Sequence, residues 1–238
     1  MEDIDAIAVL QDPVRRRLYE YVAAQGREVG RNEAAEAAGV ARTLAAHHLD
    51  KLAEAGLLET GSRRLTGRSG PGAGRPAKVY TRARAERSVS LPARDYRTAA
   101  ELLAEAAEQA GLDAGLCAAA RRRGEALRGS AAPCGSLDEA MEMLAARGYE
   151  PCLEGAECDR GAEGAEGVEV AAGATAPVVR MRNCPFHAVA ERFPPLVCGM
   201  NLALLEGLLG AGGPVRARMD ARPGECCVVV EASKNNTY

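Results

Sequence analysis

The chain has 238 residues, a formal net charge of −3, two Phe, six Tyr and no Trp. That length accommodates one large domain or two small ones, each with its own core. So few aromatic rings exclude a binding surface built on stacking. No apolar run approaches the ~18 residues of a membrane span, and the acidic start Met1–Asp5 is not that of a signal peptide, so the expected compartment is the cytoplasm.

Charge is unevenly spread. Residues 1–95 carry 16 Lys/Arg against 13 Asp/Glu, whereas residues 96–238 carry 14 against 20. The segment Arg63–Arg87 alone holds eight basic residues and one acid. A basic stripe confined to one part of an acidic protein points to a polyanionic partner at that part only.

In chain order, Ile4, Ile7, Val9 and Leu10 predict an opening helix, and Asp12-Pro13 caps a second through Leu18, Tyr21 and Val22. A short helix follows within Arg31–Val40, with Asn32 as N-cap and Gly39 ending it in a left-handed turn. A further helix, Arg42 to about Ala55, is closed by Gly56. Two helices joined by three or four residues including Gly form a helix-turn-helix pattern. On the later helix the 100° period sets Leu44, His48, Leu49 and Leu52 toward the core, and Arg42, Thr43, Ala46, His47 and Asp50 outward. Small and polar residues on that outer side suit a major groove.

Leu57–Leu65 and Lys78–Thr81 read as paired strands. Thr66–Pro76 between them, rich in Gly, Pro and Arg, reads as a basic hairpin tip placed to meet phosphates or the minor groove. Arg64, Arg68, Arg75 and Lys78 are its candidate DNA contacts, with Arg42, Thr43 and His47 on the helix. Beyond Ser90-Leu91-Pro92, helices are expected over Tyr96–Gln109 and Leu112–Arg128, pairing subunits or bridging domains. Ser136 then caps a helix to Arg147. Strands at Tyr149–Leu153, Val178–Arg182, Val215–Met219 and Cys226–Glu231 alternate with an acidic loop (154–176, with a short strand at 168–171) and a helical stretch from His187 to Leu209 broken at Pro194-Pro195. The expected fold is α+β: a winged helix-turn-helix over 1–88, a helical linker or dimerisation segment over 89–130, and an α+β sensor domain over 131–238.

Asp12-Pro13-Val14-Arg15-Arg16-Arg17-Leu18, the Ala34–Gly39 helix, Leu44…His48-Leu49…Leu52 and Gly56-Leu57-Leu58 resemble ArsR/DeoR-type winged-helix transcriptional regulators over about residues 5–85. The segment Gly70–Tyr80, together with Asn183-Cys184-Pro185-Phe186-His187, Val197-Cys198 and Cys226-Cys227, resembles the SufR-like subgroup of iron–sulfur-sensing repressors. That resemblance implies a homodimer on a pseudo-palindromic DNA operator and a 4Fe–4S cluster held by Cys184, Cys198 and Cys226, with Cys227 an alternative to Cys226.

Thiolates are also the soft ligands that zinc prefers, and His187, three residues from Cys184, is a candidate fourth ligand. Within a strand, Cys226 and Cys227 point to opposite faces, so only one is expected at a given site. Cys117, Cys134, Cys152 and Cys158 are read as packing residues. A competing reading keeps the DNA-binding domain and gives the second domain a small-molecule pocket, with no metal. Cys184 and His187 as nucleophile and base lack a third orienting group, so no enzyme is expected.

Overall fold

The structure is a computed structural model and describes residues 2–63, 76–155 and 177–233. It divides into two compact units, with the boundary between Arg94 and Asp95.

The N-terminal unit begins with α1 (Glu2–Ala8), a single 3-10 turn, and α2 (Pro13–Gln25). Asp12 caps α2 as its sequence predicts: Oδ1 accepts from the N–H groups of Val14 (2.8 Å) and Arg15 (3.0 Å). Strand β1 (Val29–Gly30) is only two residues long and was not legible in the sequence, since it exists by pairing with β3 (Ala77–Arg82). Because Gly30 is still extended, α3 (Arg31–Ala38) starts there, and Gly30 rather than Asn32 occupies the N-cap position. Asn32 stands inside the first turn. Gly39, with φ +64, ends α3 through its N–H to carbonyls of the last turn.

Helix α4 (Arg42–Glu54) follows, and β2 (Leu58–Arg63) pairs antiparallel with β3 to give the sheet order β1-β3-β2. The core gathers Leu18, Val22, Val29, Ala34, Leu49, Leu52 and Tyr80. One expectation fails here. Leu44 is 42% exposed, and Ala45 takes the core position with His48, Leu49 and Leu52. The buried arc of α4 is centred between Ala45 and Leu52, which leaves Leu44 a quarter turn off its centre. The tip of the hairpin, with Arg64, Arg68 and Arg75, lies outside the described residues.

The C-terminal unit contains α5 (Tyr96–Gln109), α6 (Asp113–Arg128) and α7 (Leu137–Ala145), then β4 (Pro151–Leu153), β5 (Val178–Met181), α8 (His187–Ala190), α9 (Pro194–Leu209), β6 (Val215–Met219) and β7 (Val228–Ala232). Its antiparallel sheet runs β4-β5-β7-β6. Helix α9 is buried nearly all round because it packs against the sheet, α6 and α8. The sequence reading set 89–130 apart as a linker. Instead, α5 and α6 belong to this unit, and the reason is a crossing of bare backbones: a Cβ at Gly124 of α6 would stand 2.1 Å from the Leu204 carbonyl oxygen of α9. The acidic stretch 156–176, including Cys158 and the expected strand at 168–171, lies outside the described residues. Among the described residues no helix is long and apolar enough to cross a membrane.

Candidate nucleic-acid interface and thiol site

In the N-terminal unit, Arg42, Thr43, Leu44 and His47 are exposed on the first two turns of α4. A cleft of about 890 Å³ opens beside them, between α3, the start of α4 and the β2–β3 pair; Arg31, Arg42, Arg63 and Lys78 line it, with Glu28 and Glu33. The outer side of α4 changes character at Asp50. Its carboxylate accepts hydrogen bonds from Lys78 Nζ (2.6 Å), the Tyr80 hydroxyl (2.7 Å) and Arg31 Nη2 (3.0 Å). Arg31 Nε in turn donates to the Tyr80 oxygen at 2.9 Å.

Asp50 therefore ties the middle of α4 to α3 and to β3. Partial burial opposes its ionisation, but the bonds from Lys78 and Tyr80 and the nearby positive charges hold its carboxyl below the usual range. Tyr80 is pushed up to about 12, by burial and then by the Asp50 bond, so its proton stays in place as a donor. Lys78, expected as a DNA contact, is first of all a partner of Asp50.

In the C-terminal unit, four thiols from three stretches of chain converge. Cys184 lies in the turn after β5, Cys198 in α9, and Cys226-Cys227 just before β7. The pair precedes the strand rather than opening it, so strand alternation does not separate the two side chains. Cys184 lies beside Cys226 and Cys198 beside Cys227, close enough for each thiol to perturb its neighbour's ionisation. Backbone bonds pin the turn: Cys226 N–H donates to the Met181 carbonyl (2.9 Å), and Cys227 C=O accepts from Asp220 N–H (2.8 Å).

The four sulfurs are not equivalent. The neighbouring Cys226 thiol and the Phe186 N–H bring the Cys184 thiol below its ordinary pKa. Burial and then Cys227 push Cys198 up to about 12, while the nearby Cys184 and burial raise Cys226. Asn201, 2% exposed, completes the setting: its Nδ2 donates to Cys226 Sγ (3.4 Å), and its Oδ1 accepts from the Tyr149 hydroxyl (2.6 Å). His187 stands elsewhere. Its side chain is 64% exposed, with Nε2 at 3.2 Å from Glu191 Oε1. Among the described residues, no three His, Cys, Asp or Glu side chains are arranged to hold a metal ion. The thiols meet as two pairs instead.

Of the remaining cysteines, Cys134 is buried, and its thiol donates to the Ser136 carbonyl at 3.3 Å; Cys117 is half-buried and free. Cys152, read from sequence as a packing residue, is disulfide-bonded.

Residues 10–61 match the family model of a helix-turn-helix domain. The match runs from the turn before α2 into β2, and a helix-turn-helix domain indicates a DNA-binding transcription regulator. No curated protein and no solved structure matches the chain.

Sequence reasoning missed two parts of these sites. In the helix-turn-helix domain it placed Asp50 toward DNA, because periodicity gives a direction but not a partner. In the thiol site it passed over Asn201, whose signal was available: a lone amide in the apolar run Leu196–Leu205 demands a partner once buried. The Asp50 cluster is testable. Asp50→Ala leaves the Arg31 and Lys78 charges facing each other; with both about one-third exposed, the expected loss is about 1–2 kcal/mol. Amide exchange at Leu49 and Leu52 should quicken accordingly, and unchanged protection would show that α4 is held by apolar packing alone.

Proposed function

We propose that this chain is a dimeric transcriptional repressor whose helix-turn-helix domain binds a pseudo-palindromic operator and whose C-terminal unit responds to redox or metal state through Cys184, Cys198, Cys226 and Cys227. The observation that carries the sensing half is the convergence of these four thiols as two neighbouring pairs. Four soft donors near one another are the ligand type of an iron–sulfur cluster, and binding one would draw the two pairs into a single set, with Cys227 in the fourth place first given to His187. Bound at this position, a 4Fe–4S cluster would supply oxygen- and redox-sensitive chemistry.

The residues themselves divide the work. Cys184 has its thiolate form favoured by the neighbouring Cys226 and by the Phe186 N–H. Asn201 orients Cys226, and the backbone bonds of the 226–227 turn join it to the ends of β5 and β6. Cys198 connects the site to α9, against which α5, α6 and α8 pack. Tyr96, Leu102 and Leu103, 61–73% exposed on the outer side of α5, form an apolar seam that a second copy would cover. A change at the thiols would then alter the spacing of paired recognition helices, and a few kcal/mol between two dimer arrangements shifts operator affinity tenfold or more.

A small-molecule pocket draws less support. The described cleft of about 810 Å³ in this unit carries charged groups already satisfied within the protein, among them Arg121 on Glu206 and Arg216 on Glu231.

Protein purified without oxygen and analysed for iron, sulfide and zinc tests the reading. Iron with sulfide and visible absorption is the expected result, lost in Cys184→Ser and Cys226→Ser but kept in Cys117→Ser. Operator affinity in gel shifts should change with loss of absorption, and Arg42→Ala should weaken binding by ~1–3 kcal/mol if it reads a base edge. Wild-type protein that takes up neither iron nor zinc would leave only the DNA-binding half standing.

A further inference from the structure

The exposed Leu44 stands outside the domain's apolar core, since Ala45, His48, Leu49 and Leu52 form the buried side of α4. A leucine side chain left 42% in water forgoes apolar burial that a polar residue there would not need. Its place on the helix is specific. Leu44 sits on the first turn of the second helix of the helix-turn-helix, the part that reaches base edges in such domains.

Below it, the outer side of α4 is closed by internal partners. Asp50 is held by Arg31, Lys78 and Tyr80, and Lys51 Nζ lies 2.7 Å from Glu54 Oε2. The surface left for bases is therefore the N-terminal end, where Arg42, Thr43, Leu44 and His47 are exposed together. In the major groove the apolar feature of a base pair is the thymine C5-methyl, and only that group rewards an apolar side chain.

We infer that Leu44 is a specificity-determining residue that reads a thymine methyl group in the operator, beside the polar contacts of Arg42, Thr43 and His47. The inference rests on the DNA-binding reading and assigns a base preference that neither the family match nor charge implies.

The experiment starts by enriching bound sequences from random duplex DNA with the full-length protein. Each thymine of the enriched site is then replaced by deoxyuridine, which removes the methyl group and keeps every hydrogen bond. One thymine per half-site should matter, its replacement weakening wild-type binding about three- to fivefold, the value of one buried methyl. Leu44→Ala should bind the thymine and uracil sites equally and still require the remaining bases. Leu44→Met, which keeps an apolar tip, should retain the discrimination. Uracil tolerated at every position by the wild type would overturn the inference while leaving the regulator intact, as would discrimination that survives in Leu44→Ala. Failure to enrich any sequence would instead remove the DNA-binding reading, and this inference with it.

Discussion

Gly207→Val should unfold or grossly loosen the C-terminal unit, and Gly207→Ala should cost about 3 kcal/mol or more, the upper end of overpacking effects. A Cβ at Gly207 would stand 2.2 Å from the Arg121 carbonyl oxygen and 3.0 Å from the Glu125 nitrogen. Both obstacles are backbone of α6, so no rotamer change relieves them, and the helices must move apart by about 1 Å. Gly124, whose Cβ would meet the Leu204 oxygen, makes the same demand from the other side. The two glycines serve one crossing, so Gly124→Ala with Gly207→Ala should cost less than the sum of the singles. Gly115 provides a control of opposite sign. It lies in α6 with nothing within 4 Å of a Cβ, and Gly115→Ala should stabilise by ~0.5–1 kcal/mol through helix propensity. Thermal unfolding of the full chain separates the outcomes. If Gly207→Ala unfolded at the wild-type temperature, α6 and α9 would not be in backbone contact.

Arg180→Ala should cost about 3 kcal/mol, since it removes the cation from a clamp in which that cation is only 1% exposed. Nη2 lies 2.7 Å from Asp220 Oδ2, Nη1 3.4 Å from Glu225 Oε2 and Nε 3.3 Å from Glu154 Oε2. The three carboxylates are each about 30% exposed, so water relieves part of the penalty, which is why a larger figure is not expected. The clamp gathers the end of β4, the middle of β5 and the 220–225 turn that leads into Cys226-Cys227. Its loss should therefore also quicken alkylation of Cys226.

The acid response follows from the same groups. The bonds from Arg218 and Arg180 hold the Asp220 carboxyl below its usual range, and Arg222 and Arg180 do the same for Glu154 against the opposing effect of burial. A carboxylate depressed in the folded state contributes stability that is complete above its ordinary pKa and is lost as pH falls through the depressed value. Wild-type stability should thus decline below about pH 4, and Arg180→Ala should decline less steeply there. Parallel acid curves for the two proteins would show that the clamp adds nothing to the balance.

Local and directional features were readable from the residues alone. Asp12-Pro13, Gly39, Gly56 and Ser136 mark helix ends where the chain forms them, because capping and left-handed turns depend on a few neighbouring atoms. Val215–Met219 forms the strand expected there. The helix-turn-helix pattern, with the outward Arg42, Thr43 and His47, was legible for the same reason. Tertiary structure alone decided the rest. The β1 strand exists only against β3, and Leu44 is displaced from the core because the centre of a buried arc depends on what packs there. Asp50 turns from a DNA-facing residue into a tie between α3, α4 and β3, its partners coming from residues 19 to 30 positions away. The reading of 89–130 as a separate segment gave way to a glycine-on-glycine helix crossing, which no periodicity announces. Cys227 joined the thiol site because the strand begins two residues after Cys226, which releases the pair from alternation. Periodicity fixes which way a side chain faces along its own element, whereas its partners are set by contacts between distant parts of the chain.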